Sequence, residues 1–238
     1  PDGLFKTNLT ASQEAVIHFL SGSGIATVVG PWGRRTINNL GGRKNIFTEL
    51  SHSLVVRPQS SLTISPKTRY LDLLVAKATV EKRDVDLPTV LHPSDWQIHE
   101  IGEGHLKRTV REIVGGLGIT ERLRLGETIN CTGGISSYPH HEYDGHLDQA
   151  GDFEEVFMYF TDPKHSWGLQ RRIGRFSEQS DIDDVFAVKS GDFAVIPIGK
   201  HPVFSAPDSR IAYVWIYASS EQLRKEYPKF SEDLGGYA

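Results

Sequence analysis

Between Gly134 and His201, β-branched and aromatic residues alternate with polar ones in three runs, each closed by Gly or Pro. They are GISSYPHHEYD (134–144), FEEVFMYF (153–160) and SGDFAVIPIGKHP (190–202). A hydrophobic period of two between turn residues predicts strands or strand-to-turn segments. His141, Glu155 and His201 therefore fall on three separate strands or their rims. If those strands lie side by side, two imidazoles and a carboxylate converge on one point, where they can hold a cation.

The first half carries the same punctuation with quieter chemistry. GIATVVG (24–30), SLVV (53–56), SLTIS (61–65) and YLDLLVAKA (70–78) are short apolar or alternating runs separated by Gly, Pro and Ser. That spacing suits a sandwich or barrel. Its two histidines, His18 and His52, have no carboxylate at ligand spacing and are expected to be structural. Residues 84–95 hold two prolines and three aspartates with little periodicity, and read as a linker. Beyond it, KRTVREIV (107–114) and ERLRLGETINCT (121–132) alternate again. RIAYVWIYAS (210–219) puts Ile211, Tyr213, Trp215 and Tyr217 on one face, and SEQLRKEYPKF (220–230) predicts a short helix broken near Pro228. The chain divides into a β-rich 1–83, the linker, and a β-rich 96–238, as a duplicated barrel would.

Composition narrows the class. The chain has 238 residues, 38% hydrophobic and 24% charged, with 26 basic against 30 acidic side chains and a net charge of −4. Length and composition suit a globular protein with a substantial core. Scattered basic residues and a pI near 6.2 leave no nucleic-acid footprint. No apolar run approaches the roughly 20 residues of a membrane span. PDGLFKTN at the start lacks the pattern of a signal peptide, and the lone Cys131 suits a reducing compartment, so a cytoplasmic location is expected.

The segment GDFAVIPIGKH (191–201) has the order Gly, five residues, Pro, one residue, Gly, one residue, His. It resembles the second motif of the cupin superfamily, in which the matching His is usually a metal ligand. The first cupin motif, a Gly followed by His-x-His and farther on a Glu, is met in part. Gly134, His141 and Glu155 are present, whereas Tyr143 stands where the second His belongs.

Taken together, SSYPHH (136–141) with Asp144, EEVFMYF (154–160), GLQR (168–171) and GDFAVIPIGKHP (191–202) resemble the 5-deoxy-glucuronate isomerase family of myo-inositol catabolism. They are more distantly similar to 4-deoxy-L-threo-5-hexosulose-uronate ketol-isomerase. GEGHLKRTVREIV (102–114) and LGGRKNIF (40–47) are similar to further stretches of the same family. The resemblance implies a mostly-β bicupin of two consecutive jelly-roll barrels with a short C-terminal helix. It also implies a single divalent metal in the second barrel, and aldose–ketose isomerisation of a deoxy-uronic acid.

On this resemblance the metal ligands are His141, Glu155 and His201, with Tyr143 a departure at the fourth position. A phenol has an unperturbed pKa of about 10, so it would need the metal or another cation to remove its proton before ligating. Two imidazoles and a carboxylate suit zinc, manganese, iron or nickel alike. Tyr143 and Lys200 are the catalytic candidates, and Glu142 and Asp144 lie equally near in sequence. Arg171 is the candidate to grip the substrate carboxylate with its planar fork, with Ser137 and Tyr138 offering hydroxyls to a sugar; Arg172 is expected to face the opposite side. The alternative reading is a non-catalytic or retuned bicupin that binds a sugar acid, because of Tyr143. The expected partner is a small sugar acid, with neither nucleic acid nor membrane, and a second subunit covering a sheet edge would make a homo-oligomer.

Overall fold

A computed structural model describes residues 3–81, 86–115, 118–138, 153–177, 180–197 and 199–219. The chain falls into two compact units, Pro1–Trp96 with Leu117–Leu123, and Gln97–Gly116 with Arg124–Ala238. Almost all the regular structure is strand. The first unit carries β1 (Phe5–Asn8), β2 (Gln13–Ser21), β3 (Ser23–Gly30), β4 (Gly33–Gly41), β5 (Ser53–Val56), β6 (Ser61–Pro66), β7 (Asp72–Thr79) and β8 (Thr89–Leu91). Next come β9 (Gln97–Ile101), β10 (Arg108–Val114), β11 (Leu123–Asn130), β12 (Ile135–Ser136) and β13 (Phe153–Asp162). The chain continues with β14 (Gly168–Ser177), β15 (Ser180–Val188), β16 (Phe193–Ile196), β17 (Val203–Ser205) and β18 (Arg210–Ser219).

In the first unit, two four-stranded sheets, β1-β6-β3-β4 and β7-β2-β5-β8, share one core. Ile17 and Phe19 of β2 and Leu54 and Val56 of β5 meet Val28 of β3 and Leu62 and Ile64 of β6. Alternation aims these side chains inward from both layers. The hairpin β3–β4 turns at Pro31-Trp32, where Gly33 takes a φ of +105° that a side chain would resist. The stretch read as a linker supplies β8, whose short TVL run pairs with β5. His18 lies on the opposite face of β2 from Ile17, yet it is fully buried. Arg43 donates to its Nε2 at 3.2 Å, and since a guanidinium only donates, the ring proton sits on Nδ1 and faces Ser53 Oγ at 2.8 Å. His18 is thus a neutral hydrogen-bonded side chain, and Arg43 of LGGRKNIF is what holds it.

The second unit pairs a six-stranded sheet, β16-β13-β18-β11-β10-β9, with a four-stranded one, β12-β17-β14-β15. Its core joins Val110, Phe157, Tyr159, Ile196, Tyr213 and Trp215 from the first sheet to Val188 and Val203 from the second. Ile211, Tyr213, Trp215 and Tyr217 all belong to this core, as the alternation of β18 predicted. Gly126 of β11 lets Trp215 lie flat against the sheet, because a Cβ there would stand 2.0 Å from the indole Cζ2 and 2.5 Å from the Arg111 carbonyl. Gly126→Ala is therefore expected to cost about 1–3 kcal/mol, the usual penalty of overpacking. A lower urea midpoint with an unchanged slope would register it, and an unchanged midpoint would show that the indole has room to move.

The predicted helix at 220–230 lies outside the described residues. No helix among the described residues is long and apolar enough to cross a membrane.

Candidate active site

The site sits in the second unit, where β13 and the end of the GDFAVIPIGKHP motif meet. Two turns deliver that motif. At the first, Gly191 takes a φ of +93° while Asp192 accepts a hydrogen bond from the Lys189 amide at 2.9 Å. Ala194 and Ile196 then point inward, and Phe193 and Val195 outward. At the second, Gly199 has a φ of +86° and lies so close to the next strand that a Cβ would meet the Ile173 carbonyl at 2.5 Å. Only glycine fits, and its carbonyl holds the residue that follows two places on.

That residue is His201. Its Nδ1 donates to the Gly199 carbonyl at 2.8 Å, so the neutral ring carries its lone pair on Nε2. Nε2 lies 2.9 Å from Oε2 of Glu155, with the two side chains only 2% and 5% exposed. Glu155 Oε1 is buried with no hydrogen-bond partner among the described residues. Two electron-rich atoms this close in a dry interior need a positive centre between or beside them, either a proton or a metal ion. An imidazole nitrogen and a carboxylate with a spare oxygen form a donor set that fits a divalent cation. Among the described residues no group of three such side chains occurs, and His141, the expected third ligand, lies outside them.

A polar frame fixes the pair. Gln170, fully buried on β14, donates through Nε2 to the His201 carbonyl at 2.8 Å and the Pro202 carbonyl at 3.2 Å. Its Oε1 accepts from the Tyr159 hydroxyl at 2.5 Å. Burial first, then the neighbouring Tyr213 and Glu155, push the Tyr159 phenol well above its usual range, so it stays protonated as a donor. Phe157 packs edge-on against His201 with centroids 5.5 Å apart and stacks on Tyr213 at 4.4 Å. The Tyr213 hydroxyl donates to Ser136 Oγ at 2.9 Å and lies 3.5 Å from Ser137 Oγ. Burial raises the Tyr213 phenol as well, against the hydrogen bonds of Ser136, Ser137 and Thr128 and the charge of Arg108.

The structure distributes the sequence's candidates unevenly. Glu155 and His201 are brought together, and Ser137 is buried beside Tyr213 in a left-handed conformation with φ +52°. Tyr143 lies outside the described residues, as do Glu142 and Asp144. Tyr138 is exposed. Lys200 bridges Ile173, which itself faces the exposed Asp183, so Lys200 shares the outer face while His201 turns inward. Alternation of adjacent residues is the reason.

Arg171 also lies on the outer face, opposite the exposed Val185, and makes a two-pronged ion pair with Asp183 at 2.9 and 3.0 Å. That hydrogen bond holds the Asp183 carboxyl below its ordinary range. Arg172, expected to face away, lies on the Gln170 side of β14 instead. It pairs with Asp184 and covers the Phe186 ring at 5.2 Å. The missed signal was in β15, where Ile182, Asp184, Phe186 and Val188 are the covered positions and 181, 183, 185 and 187 the exposed ones. Pairing that alternation with GLQRR assigns Gln170 and Arg172, and not Arg171, to the inner face. Accordingly, Arg171→Gln should leave both Tm and the KM for a sugar acid unchanged, since an exposed pair in water contributes little. A large rise in KM would return Arg171 to the site.

Comparison with known proteins gives this geometry a context. The sequence profile of the KduI/IolB family matches residues 2–235. The chain is 27% identical over 215 residues to the 5-deoxy-glucuronate isomerase of Geobacillus thermodenitrificans, covering 88% of this chain and 73% of that protein. The enzyme of the same name from Bacillus licheniformis is 27% identical over 220 residues, 90% of this chain and 75% of its own. Among solved structures, an IolB-like protein from Salmonella typhimurium superposes with a TM-score of 0.82 at 19% identity, over 95% of this chain and 81% of that one. Bacillus subtilis oxalate decarboxylase superposes at 0.59 with 9% identity, over 92% and 66%. These structural likenesses concern the fold.

Proposed function

Because the chain belongs to the KduI/IolB family and is an isomerase, we propose that it interconverts the aldose and ketose forms of a deoxy-uronic acid such as 5-deoxy-glucuronate, using a divalent metal held in its second unit. Each unit is read as a cupin barrel, and the metal as bound by Glu155, His201 and His141. The observation that carries this reading is the buried His201–Glu155 pair, with an imidazole lone pair facing a carboxylate that has an oxygen to spare.

The reaction moves one proton from C2 to C1 of the sugar and one from the C2 hydroxyl to the C1 oxygen, so no outside oxidant or reductant is needed. When bound, the cation supplies Lewis acidity to the oxygens on which negative charge grows. The chain's own part is placement. Gln170 holds the His201 backbone, the Gly199 carbonyl fixes the His201 ring, Tyr159 holds Gln170 in turn, and Phe157 closes the edge of the imidazole against water. Pre-set geometry of this kind avoids reorganisation during the reaction. Of the sequence's candidates to move the carbon-bound proton, Tyr143, Glu142 and Asp144 lie beside His141 in the chain, whereas Lys200 lies on the outer face.

The test is incubation of metal-supplemented protein with 5-deoxy-glucuronate in D2O, followed by proton NMR. Loss of the aldehyde-hydrate signal with growth of the ketose is expected. Stoichiometric metal without turnover would favour the alternative of a sugar-acid binder retuned through Tyr143.

A further inference from the structure

A second buried polar group in the same unit is left without a counterion by everything described so far. Arg108 opens β10 and is only 7% exposed. Its guanidinium donates to the Leu106 carbonyl at 3.0 Å, and among the described residues it makes no ion pair. Other arginines of the unit behave differently: Arg111 pairs with Glu127, Arg171 with Asp183 and Arg172 with Asp184. Burial draws the Arg108 guanidinium below its ordinary value, with only Tyr213 pulling the other way. A charge taken out of water normally requires a partner.

Arg108 faces the interior between the two sheets. Val110, two residues on, belongs to the core with Tyr213, and alternation puts Arg108 on that same face. Directly across the ladder from Arg108 stands Asn130, 1% exposed. Its Nδ2 reaches two carbonyls, those of Gly134 and Val203, each at 3.4 Å, which fixes the orientation of the amide. Its Oδ1 is then a buried acceptor with no partner among the described residues. An unpaired cation and an unpaired acceptor thus sit side by side, next to the hydroxyls of Tyr213, Ser136 and Ser137. A ligand that carries both a carboxylate and a hydroxyl satisfies both, as a sugar acid does. From His201 this place is reached in two ring steps, through Phe157 at 5.5 Å and Tyr213 at 4.4 Å.

We propose that Arg108 is the carboxylate anchor of a sugar-acid subsite in the second unit, with Asn130 accepting a hydroxyl from farther along the sugar chain. The acid end lies at Arg108 and the carbonyl end at Glu155 and His201. As an account of substrate orientation, this rests on the isomerase reading. The anion site itself is tested without turnover.

Binding of D-glucuronate and of D-glucose is measured by calorimetry on wild type, Arg108→Gln and Arg108→Lys, with folding checked by circular dichroism. Wild type should prefer the acid by roughly 10–100-fold, the value of hydrogen bonds to a charged group. Arg108→Gln should erase that preference without changing glucose binding, and Arg108→Lys should keep part of it, because an ammonium has charge but no fork. No preference in wild type, or a preference that survives in Arg108→Gln, overturns the proposal. Should Arg108→Gln fail to fold, a preference lowered less than about threefold in Arg108→Lys overturns it too. A protein that prefers glucuronate through Arg108 but does not isomerise 5-deoxy-glucuronate keeps the anion site and loses the reaction. One that isomerises with an unchanged KM in Arg108→Gln keeps the reaction and loses the site.

Discussion

His201→Ala is expected to lose bound divalent metal and to lower kcat/KM by roughly 1,000-fold or more. Lewis-acid stabilisation of a developing oxyanion is worth several kcal/mol, and about 1.4 kcal/mol is tenfold in rate. The backbone around His201 should persist, since Gln170 binds the His201 carbonyl and not its ring. Glu155→Gln should act in parallel, because an amide replaces the carboxylate and its charge. The metal-free proteins carry a further signature. Removing His201 alone leaves a buried carboxylate with neither oxygen balanced, and breaking buried pairs of this kind costs about 3–5 kcal/mol. The double variant should be less destabilised than the sum of the two single changes. Mass spectrometry of the native protein reads the metal and denaturant titration the coupling. Full metal and turnover in His201→Ala would remove the pair from the chemistry.

Glu14→Ala should give the largest purely structural effect, about 3 kcal/mol or more, because buried donors deprived of an acceptor bear the full desolvation cost. Glu14 is 1% exposed on β2. Its carboxylate accepts the amides of Glu121 at 2.8 Å, Arg122 at 2.8 Å and Leu123 at 3.0 Å. Those residues come from Leu117–Leu123, the stretch that returns to the first unit after the chain has entered the second. Arg122 adds a contact to Glu81 at 2.8 Å on the same unit. The carboxylate is therefore the clasp on a chain crossing more than a hundred residues away in sequence. At roughly 2–4 °C per kcal/mol for a chain of this size, Tm should fall by several degrees. A shift under one degree would mean that the three amides find other acceptors.

The two cases show where the sequence was readable. The motif from Gly191 to His201 could be interpreted residue by residue because its constraints are local. Gly191 and Gly199 sit in turns that require left-handed backbone, and His201 takes its orientation from a carbonyl two residues back. β18 was equally legible, since its aromatic alternation faces a single core. β2 was not, because Ala15 to Phe19 are buried on both faces and no alternation survives in QEAVIHFLS. β8 was hidden among the prolines of the supposed linker, where three residues are too few to carry a period.

By itself, then, the sequence determined the strand-rich class and the turn chemistry of the second motif, both consequences of residue type and short-range spacing, and its family resemblance singled out Glu155 and His201 as candidates. Only the tertiary structure decided which guanidinium faces the interior. Arg108, Arg171 and Arg172 differ little in their local sequence; what separates them is the strand each lies beside, with Asp183 opposite the outer face, Asp184 opposite the inner one, and no carboxylate across from Arg108. Charge compensation is a property of neighbours in space, and a ladder register between strands distant in the chain sets those neighbours.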